Sequence, residues 1–141
     1  MVAMLDFLRR VFNHGKAGAK ADGLTQPQRE ALMDLLVFAE FNDNYITEAE
    51  ARFVHQQAET HPWHSPLTID AYYDVSVTRT RSAKISAEAR ADYLDDIAQR
   101  LETAAASRQA YELCELIMRL DSENAPTQKA FLSEIRNKLR F

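Results

Sequence analysis

The segment from Thr25 to Phe41, TQPQREALMDLLVFAEF, constrains the fold more than any other part of the chain. Threonine followed by proline two residues later is a helix start, because Thr25 suits the N-cap and Pro27 suits the first turn. Within LMDLLVFAEF only Asp34 and Glu40 are polar. A helix that is apolar on nearly every side has to be surrounded by other elements. The sequence therefore predicts a central helix.

Composition favours one helical domain. The chain has 141 residues, of which 46% are hydrophobic and 27% charged, which is typical of a globular protein with a buried core. Only three glycines and four prolines are present, and the chain is rich in good helix formers. We predict an all-α fold, a compact bundle of about six or seven helices.

The chain divides into three predicted parts. Residues 1–14, MVAMLDFLRRVFNH, place apolar residues at helical spacing and are predicted to form an amphipathic helix. Residues 15–23 contain all three glycines and little to bury, which predicts a flexible linker. The folded helical domain is residues 24–141.

Local signals place the other helices of this domain. Thr47 and Glu50 form a T-x-x-E capping box for a helix that ends near Glu59. Residues 68–83 have apolar residues at helical spacing, and we predict a helix although their valines and threonines also suit a strand. Three further helix starts are signalled at Ser86, Ser107 and Pro126.

The charge and the cysteine content narrow the class of protein. The net charge of the chain is −4, but residues 1–20 have a charge of +3, so residues 21–141 have a charge of −7. A domain this acidic is predicted not to bind nucleic acid. The single Cys114 lies between leucines in an apolar helix and is predicted to be buried and inert. With one cysteine, no secretory signal and no membrane span, a cytoplasmic location is expected.

Two interpretations of residues 1–14 stay open. With Arg9 and Arg10 on an amphipathic helix, the segment suits an anionic membrane surface, which would hold the protein at the periphery of the inner membrane. Alternatively, Leu5, Leu8 and Phe12 dock on the bundle or on a partner chain.

A weak internal repeat links two parts of the domain. Shifting the chain by 78 residues lays DNYITEAEARFV over DSENAPTQKAFL, which matches Asp43 to Asp121 and Phe53 to Phe131. Each copy follows an apolar helical segment. The repeat predicts a bundle built from two similar helical hairpins.

The two copies carry a family resemblance. An apolar helix followed by Asp-Gly-x-Ile-Ser/Thr-x-x-Glu, and later by Asp-Gly-x-x-x-Pro with an apolar pair, is the pattern of the TerB-like family, named for a tellurite-resistance protein. The chain resembles this family over about residues 24–140. The matching residues of the first copy are Asp43, Ile46, Thr47, Glu48 and Glu50, and those of the second are Asp121, Glu123, Pro126, Phe131 and Leu132.

The sequence departs from the family pattern at three positions. Asn44 and Ser122 stand where the family has glycine, and Gln128 stands where it has an acid. The resemblance implies an all-helical bundle in a bacterial stress context, without established enzymatic activity. It also implies an acidic surface that binds metal, in which Gln128 replaces one of the family's acids.

The loop between the central helix and Thr47 places Asp43 between two asparagines, which is a feature of cation-binding loops. With Ile46 at the eighth EF-hand position, Glu50 takes the twelfth, but Ala39 and Phe41 take the first and third, where oxygen ligands are needed. An EF-hand is therefore excluded. A weaker divalent-cation site is predicted if the turns of the two copies lie close together, with ligands from both copies: Asp43, Glu50, Asp121 and Glu123.

A histidine patch offers a second metal hypothesis. His55 and Glu59 are one helical turn apart, and His61 and His64 follow in the next loop, so zinc coordination is conceivable. No HExxH or Cys/His spacing is present, so a metalloenzyme is the outside alternative. The main prediction is a non-catalytic binding or scaffold module with a protein partner.

Overall fold

Five helices account for most of the residues that the structure describes. The computed structural model describes residues 23–41, 63–120 and 125–141. The helices are α1 (Gln26–Glu40), α2 (Ile69–Ala83), α3 (Ala87–Leu101), α4 (Ala104–Leu120) and α5 (Ala125–Leu139). These ranges contain no strand, so the all-α prediction is confirmed for them. The predicted helices at 1–14 and 47–59 lie outside the described residues, as does most of the predicted linker.

Two of the predicted helix caps are confirmed. The Thr25 hydroxyl accepts from the Gln28 backbone N–H at 3.3 Å, and the Thr25 N–H donates to the Gln28 side chain at 2.8 Å, which completes a capping box. The Ser86 hydroxyl accepts from the Ala89 N–H at 3.0 Å. Both satisfy backbone donors that the first turn of a helix leaves without partners.

The predicted cap at Ser107 is wrong. Helix α4 begins three residues earlier, at Ala104, and Thr103 serves as its cap by accepting from the Ala106 N–H at 3.1 Å. Three consecutive alanines extend the helix back to this threonine because alanine has the highest helix propensity. Ser107 is instead a buried residue of the second turn, 3% exposed.

Helix α1 is central, as its sequence predicts. Every residue from Ala31 to Glu40 is buried, and α1 packs against α2, α3 and α4. Helix α5 packs against α3 and α4. No helix in the described ranges is long and apolar enough to cross a membrane.

The core consists of two unequal apolar clusters. The larger one joins α1 to α3, α4 and α5 through side chains such as Leu35, Ile97, Leu113 and Ile135. The smaller one joins α1 to α2, and its buried members are Met33, Val37, Ile69 and Tyr72. Helix α2 is thus attached to the bundle by a smaller apolar contact, which a polar network supplements.

Candidate functional site

The predicted metal-binding residues receive no structural test. Asp43, Glu50, Asp121 and Glu123 lie outside the described residues, and so do His55, Glu59 and His61. His64 is described and exposed, and its backbone N–H donates to the Gln26 side chain at 2.9 Å. Within the described ranges, no group of three or more His, Cys, Asp or Glu side chains is arranged to hold a metal ion.

A buried carboxylate connects three helices. Asp34 on α1 is fully buried, and its Oδ2 atom accepts from Arg100 Nη2 of α3 at 2.6 Å and from the Tyr72 hydroxyl of α2 at 2.9 Å. Arg79 Nη1 of α2 lies 3.5 Å from the same oxygen. Arg100 also pairs with Asp96 at 3.0 Å. A buried charge requires such partners, since its hydration is lost.

The pKa shifts of Tyr72 and Arg100 hold each of these two groups in one protonation state. Burial raises the pKa of Tyr72, and the adjacent Asp34 carboxylate raises it further. Burial would lower the pKa of Arg100, but Asp34, with smaller contributions from Tyr72 and Asp96, more than offsets this effect and the pKa is raised. At neutral pH the phenol is protonated and the guanidinium charged, so neither group is a general base. We interpret the network as structural.

Arg79 is a second arginine beside this carboxylate. Its guanidinium lies 3.5 Å from Asp34 and 3.4 Å from the Tyr72 hydroxyl. Its side chain is nevertheless about half exposed, at 48%. An aspartate inside an apolar helix signals that a cationic partner exists, but it does not identify which arginine.

The described residues offer no activated nucleophile. Cys114 is fully buried, as predicted, and burial raises the pKa of its thiol, which suppresses the reactive thiolate. Burial likewise raises the pKa of Tyr93.

Two arginines and two aromatic residues form a cluster on the surface between α4 and the end of α5. Arg136 lies over the rings of both Phe141 and Tyr111, with 5.4 Å and 5.8 Å from its Cζ atom to the ring centroids, and Arg108 lies 5.5 Å over Phe141. The two rings are 5.3 Å apart. We call Arg108, Tyr111, Arg136 and Phe141 the arginine–aromatic surface. Both arginines are exposed, and both rings are partly exposed.

Its arginines differ from those that hold the helices together. Arg90, for example, lies 4.9 Å over the Phe38 ring and pairs with Glu134 at 2.8 Å, so that it joins α3 to α1 and α5. Within the described residues, Arg108 and Arg136 have no carboxylate partner. Their N–H donors therefore remain available for carboxylates of another molecule, while the rings restrict their movement. No motif in the sequence marks this cluster, because its members come together only through the packing of α5 on α4.

A groove of 450 Å³ lies at the corner between α3 and α4, bordered by the end of α5. At this corner Glu102 has φ 70° and ψ −51°, and the Thr103 N–H donates to the Leu101 carbonyl at 2.7 Å. These values describe a γ-turn with positive φ, which is a strained conformation for a residue other than glycine. The groove contains Asp95 and Glu102 as well as Lys138 and Arg140, so it has no excess charge that would select a ligand.

Comparisons with known proteins leave the function open. No protein-family model, curated protein or solved structure matches this chain. The resemblance to the TerB-like family therefore stays a prediction from its quoted residues. The membrane interpretation of residues 1–14 also stays a prediction, because that segment lies outside the described residues.

Proposed function

We propose that this protein is a non-catalytic binding module that docks an acidic segment of a partner protein on its arginine–aromatic surface. One observation carries the proposal: the exposed guanidinium groups of Arg108 and Arg136 lie over aromatic rings and have no carboxylate partner among the described residues. Aromatic residues and arginine are enriched at protein interfaces, and tyrosine and arginine, with tryptophan, are the side chains that most often dominate the binding energy.

Charge complementarity determines the kind of partner. An arginine held over a ring binds a carboxylate with little further loss of side-chain freedom. The N–H groups of Arg108 and Arg136 can each donate to a carboxylate of the same acidic segment. The protein has a net charge of −4, so long-range attraction of an acidic partner is not expected. Recognition instead depends on short-range contacts at this surface, with an aromatic or aliphatic side chain of the partner against Tyr111 and Phe141.

The cellular role follows the family resemblance. We place the protein in the bacterial cytoplasm, in a stress context like that of tellurite resistance, as a bundle of two similar hairpins. In this proposal the first hairpin begins with α1 and the second consists of α4 and α5. The turns of the two repeat copies bind a divalent cation weakly through Asp43, Glu50, Asp121 and Glu123.

A peptide titration tests the docking surface. The probe is a synthetic peptide with four glutamates flanking one phenylalanine, added to isotope-labelled full-length protein while amide NMR shifts are recorded. We expect saturable shifts confined to residues near Arg108 and Arg136, and at least tenfold weaker binding by the R108E/R136E variant. Arg81 is also exposed and makes no ion pair with the described residues, so R81E, compared with each single reversal, is the matched control.

Two results would contradict the proposal. One is a set of shifts scattered over the whole surface, which indicates non-specific contact. The other is equal weakening of peptide binding by R81E and R108E, which indicates a general charge effect.

The metal component is tested separately by a calcium or manganese titration, in which an absence of shifts at Asp43, Glu50 and Asp121 at millimolar ion rejects it.

A further inference from the structure

A layer of polar side chains is buried between α1, α2 and α3. Asp34, Ser76 and Thr80 each have 0% exposure. Four buried oxygen atoms in this region form no hydrogen bond with any described residue: Asp34 Oδ1, Ser76 Oγ, Thr80 Oγ1 and Tyr93 Oη. Buried polar atoms without partners are rare, because the hydrogen bonds lost from water are not replaced. We call these four side chains the buried polar layer.

Helix geometry places the members of the layer together. Ser76 and Thr80 follow Tyr72 by one and two turns on the buried face of α2, and the Tyr72 hydroxyl binds the other oxygen of Asp34 at 2.9 Å. Tyr93 of α3 packs against Phe38, one turn beyond Asp34 on α1, with 5.7 Å between ring centroids.

The electrostatic influences on Tyr93 agree with this placement. Burial contributes most to its raised pKa, and Asp34 also raises it, whereas the hydroxyls of Ser76 and Thr80 lower it. Both hydroxyls are therefore close to the phenol oxygen, although none of the three forms a direct bond of ordinary geometry. A hydroxyl in a helix can instead donate to the backbone carbonyl one turn earlier, as the Thr78 hydroxyl of α2 does to the Asp74 carbonyl at 3.1 Å.

The charges around the layer indicate the chemistry of its ligand. A cation is disfavoured because the Arg100 guanidinium lies 2.6 Å from Asp34 Oδ2 and already neutralises the carboxylate. An anion is disfavoured by the remaining Asp34 oxygen. A small neutral molecule that both donates and accepts hydrogen bonds suits one carboxylate oxygen and three hydroxyls, since each hydroxyl can donate as well as accept.

We propose that the buried polar layer is a binding site for ordered water, which bridges Asp34 Oδ1 to the hydroxyls of Ser76, Thr80 and Tyr93. A water molecule donates one hydrogen to the carboxylate, accepts from up to two hydroxyls and can donate its second hydrogen to the third, so it supplies the missing partners of several groups at once. Buried waters in proteins commonly make about three such bonds. The site joins α2 to α1 through exchangeable solvent, beside the direct hydrogen bond from the Tyr72 hydroxyl to Asp34.

The test combines a crystal structure of the full-length protein with stability measurements on matched variants. In the wild type we expect a water within hydrogen-bonding distance of Asp34 Oδ1 and at least one of the three hydroxyls. Urea unfolding is then compared for T80V, which replaces a buried hydroxyl by a methyl group of similar size, and for T78V as the exposed control. If water fills the site, T80V removes one of its partners and lowers the folding equilibrium constant about tenfold, while T78V changes it less.

Opposite results overturn the proposal. In a dry layer the Thr80 hydroxyl has no partner, so T80V would increase the folding equilibrium constant, and no solvent density would be seen beside Asp34 Oδ1. Anomalous scattering at this position in crystals soaked in rubidium chloride would assign the site to a cation instead. The crystal structure decides the question even if T80V does not fold.

Discussion

At the residue scale, the two oxygens of Asp34 have different environments. Oδ2 accepts from Arg100 and Tyr72 and lies near Arg79, whereas Oδ1 is buried and has no hydrogen-bond partner among the described residues. The arginines also differ, because Arg100 is 24% exposed and bonds at 2.6 Å, while Arg79 is 48% exposed and lies 3.5 Å away. The strength of an ion pair depends on burial and distance, so most of the ionic contribution comes from Arg100.

Substitutions at these positions test that difference. Asp34→Ala leaves Arg100 without its buried counter-ion, and we expect the free energy of unfolding to fall by about 3 kcal/mol or more. Arg79→Ala should cost less than about 1 kcal/mol, because the pair is half exposed and long. Urea unfolding followed by circular dichroism measures both. Equal losses for the two variants would show that removing Arg79 costs as much as removing the carboxylate that all partners share, and the expectation would be wrong.

At the element scale, α2 is attached differently from the other helices. Its buried face is Ile69, Tyr72, Ser76, Thr80 and Ala83, of which three carry hydroxyl groups. The buried face of α3 is Leu94, Ile97 and Leu101, within the main apolar cluster. Apolar burial stabilises a fold in proportion to the area removed from water, so α2 gains less from its contacts than α3 does.

Hydrogen exchange should therefore distinguish the two helices. We expect the amides of α2 to exchange through a local opening of lower free energy than those of α3, because fewer apolar contacts are broken when α2 separates. Exchange under native conditions, read residue by residue with NMR in increasing urea, measures both. If α2 and α3 shared one opening free energy equal to that of global unfolding, the helices would form a single cooperative unit and the expectation would be wrong.

At the scale of the whole molecule, buried phenols and the buried thiol make stability depend on alkaline pH. Burial, together with the smaller effects of Glu40 and Asp74, raises the pKa of Tyr73 to about 12. The pKa values of Tyr72, Tyr93 and Cys114 are raised as well. In the unfolded chain these groups lose their protons first, from about pH 9 for the thiol and about pH 10 for the phenols. The unfolded state then binds fewer protons than the folded state, so stability falls as pH rises.

An alkaline titration of stability checks the sign. The urea midpoint should be constant with respect to these groups below about pH 8, and should decline between about pH 9 and 12. Tyr73→Phe removes one titrating group and should reduce the decline in its upper part, above about pH 10. Identical pH profiles for the variant and the wild type would show that Tyr73 does not contribute, and that groups common to both proteins cause the loss.

The sequence by itself determined the helical class, the central position of α1 and several helix starts. These properties depend on local chemistry: the Thr25 and Ser86 caps, the scarcity of glycine, and an apolar segment interrupted by only Asp34 and Glu40. Even there, three alanines moved the start of α4 to Ala104, because helix propensity extended the helix beyond the strongest apparent cap.

Only the tertiary structure decided which distant side chains meet. Arg100 and Tyr72 are 66 and 38 residues from Asp34, and no spacing rule in the sequence joins them. The arginine–aromatic surface likewise requires the end of α5 to lie beside α4, and the buried polar layer requires three helices to pack together. Periodicity identifies the face that a helix buries, but the partner across that face depends on how the whole chain packs.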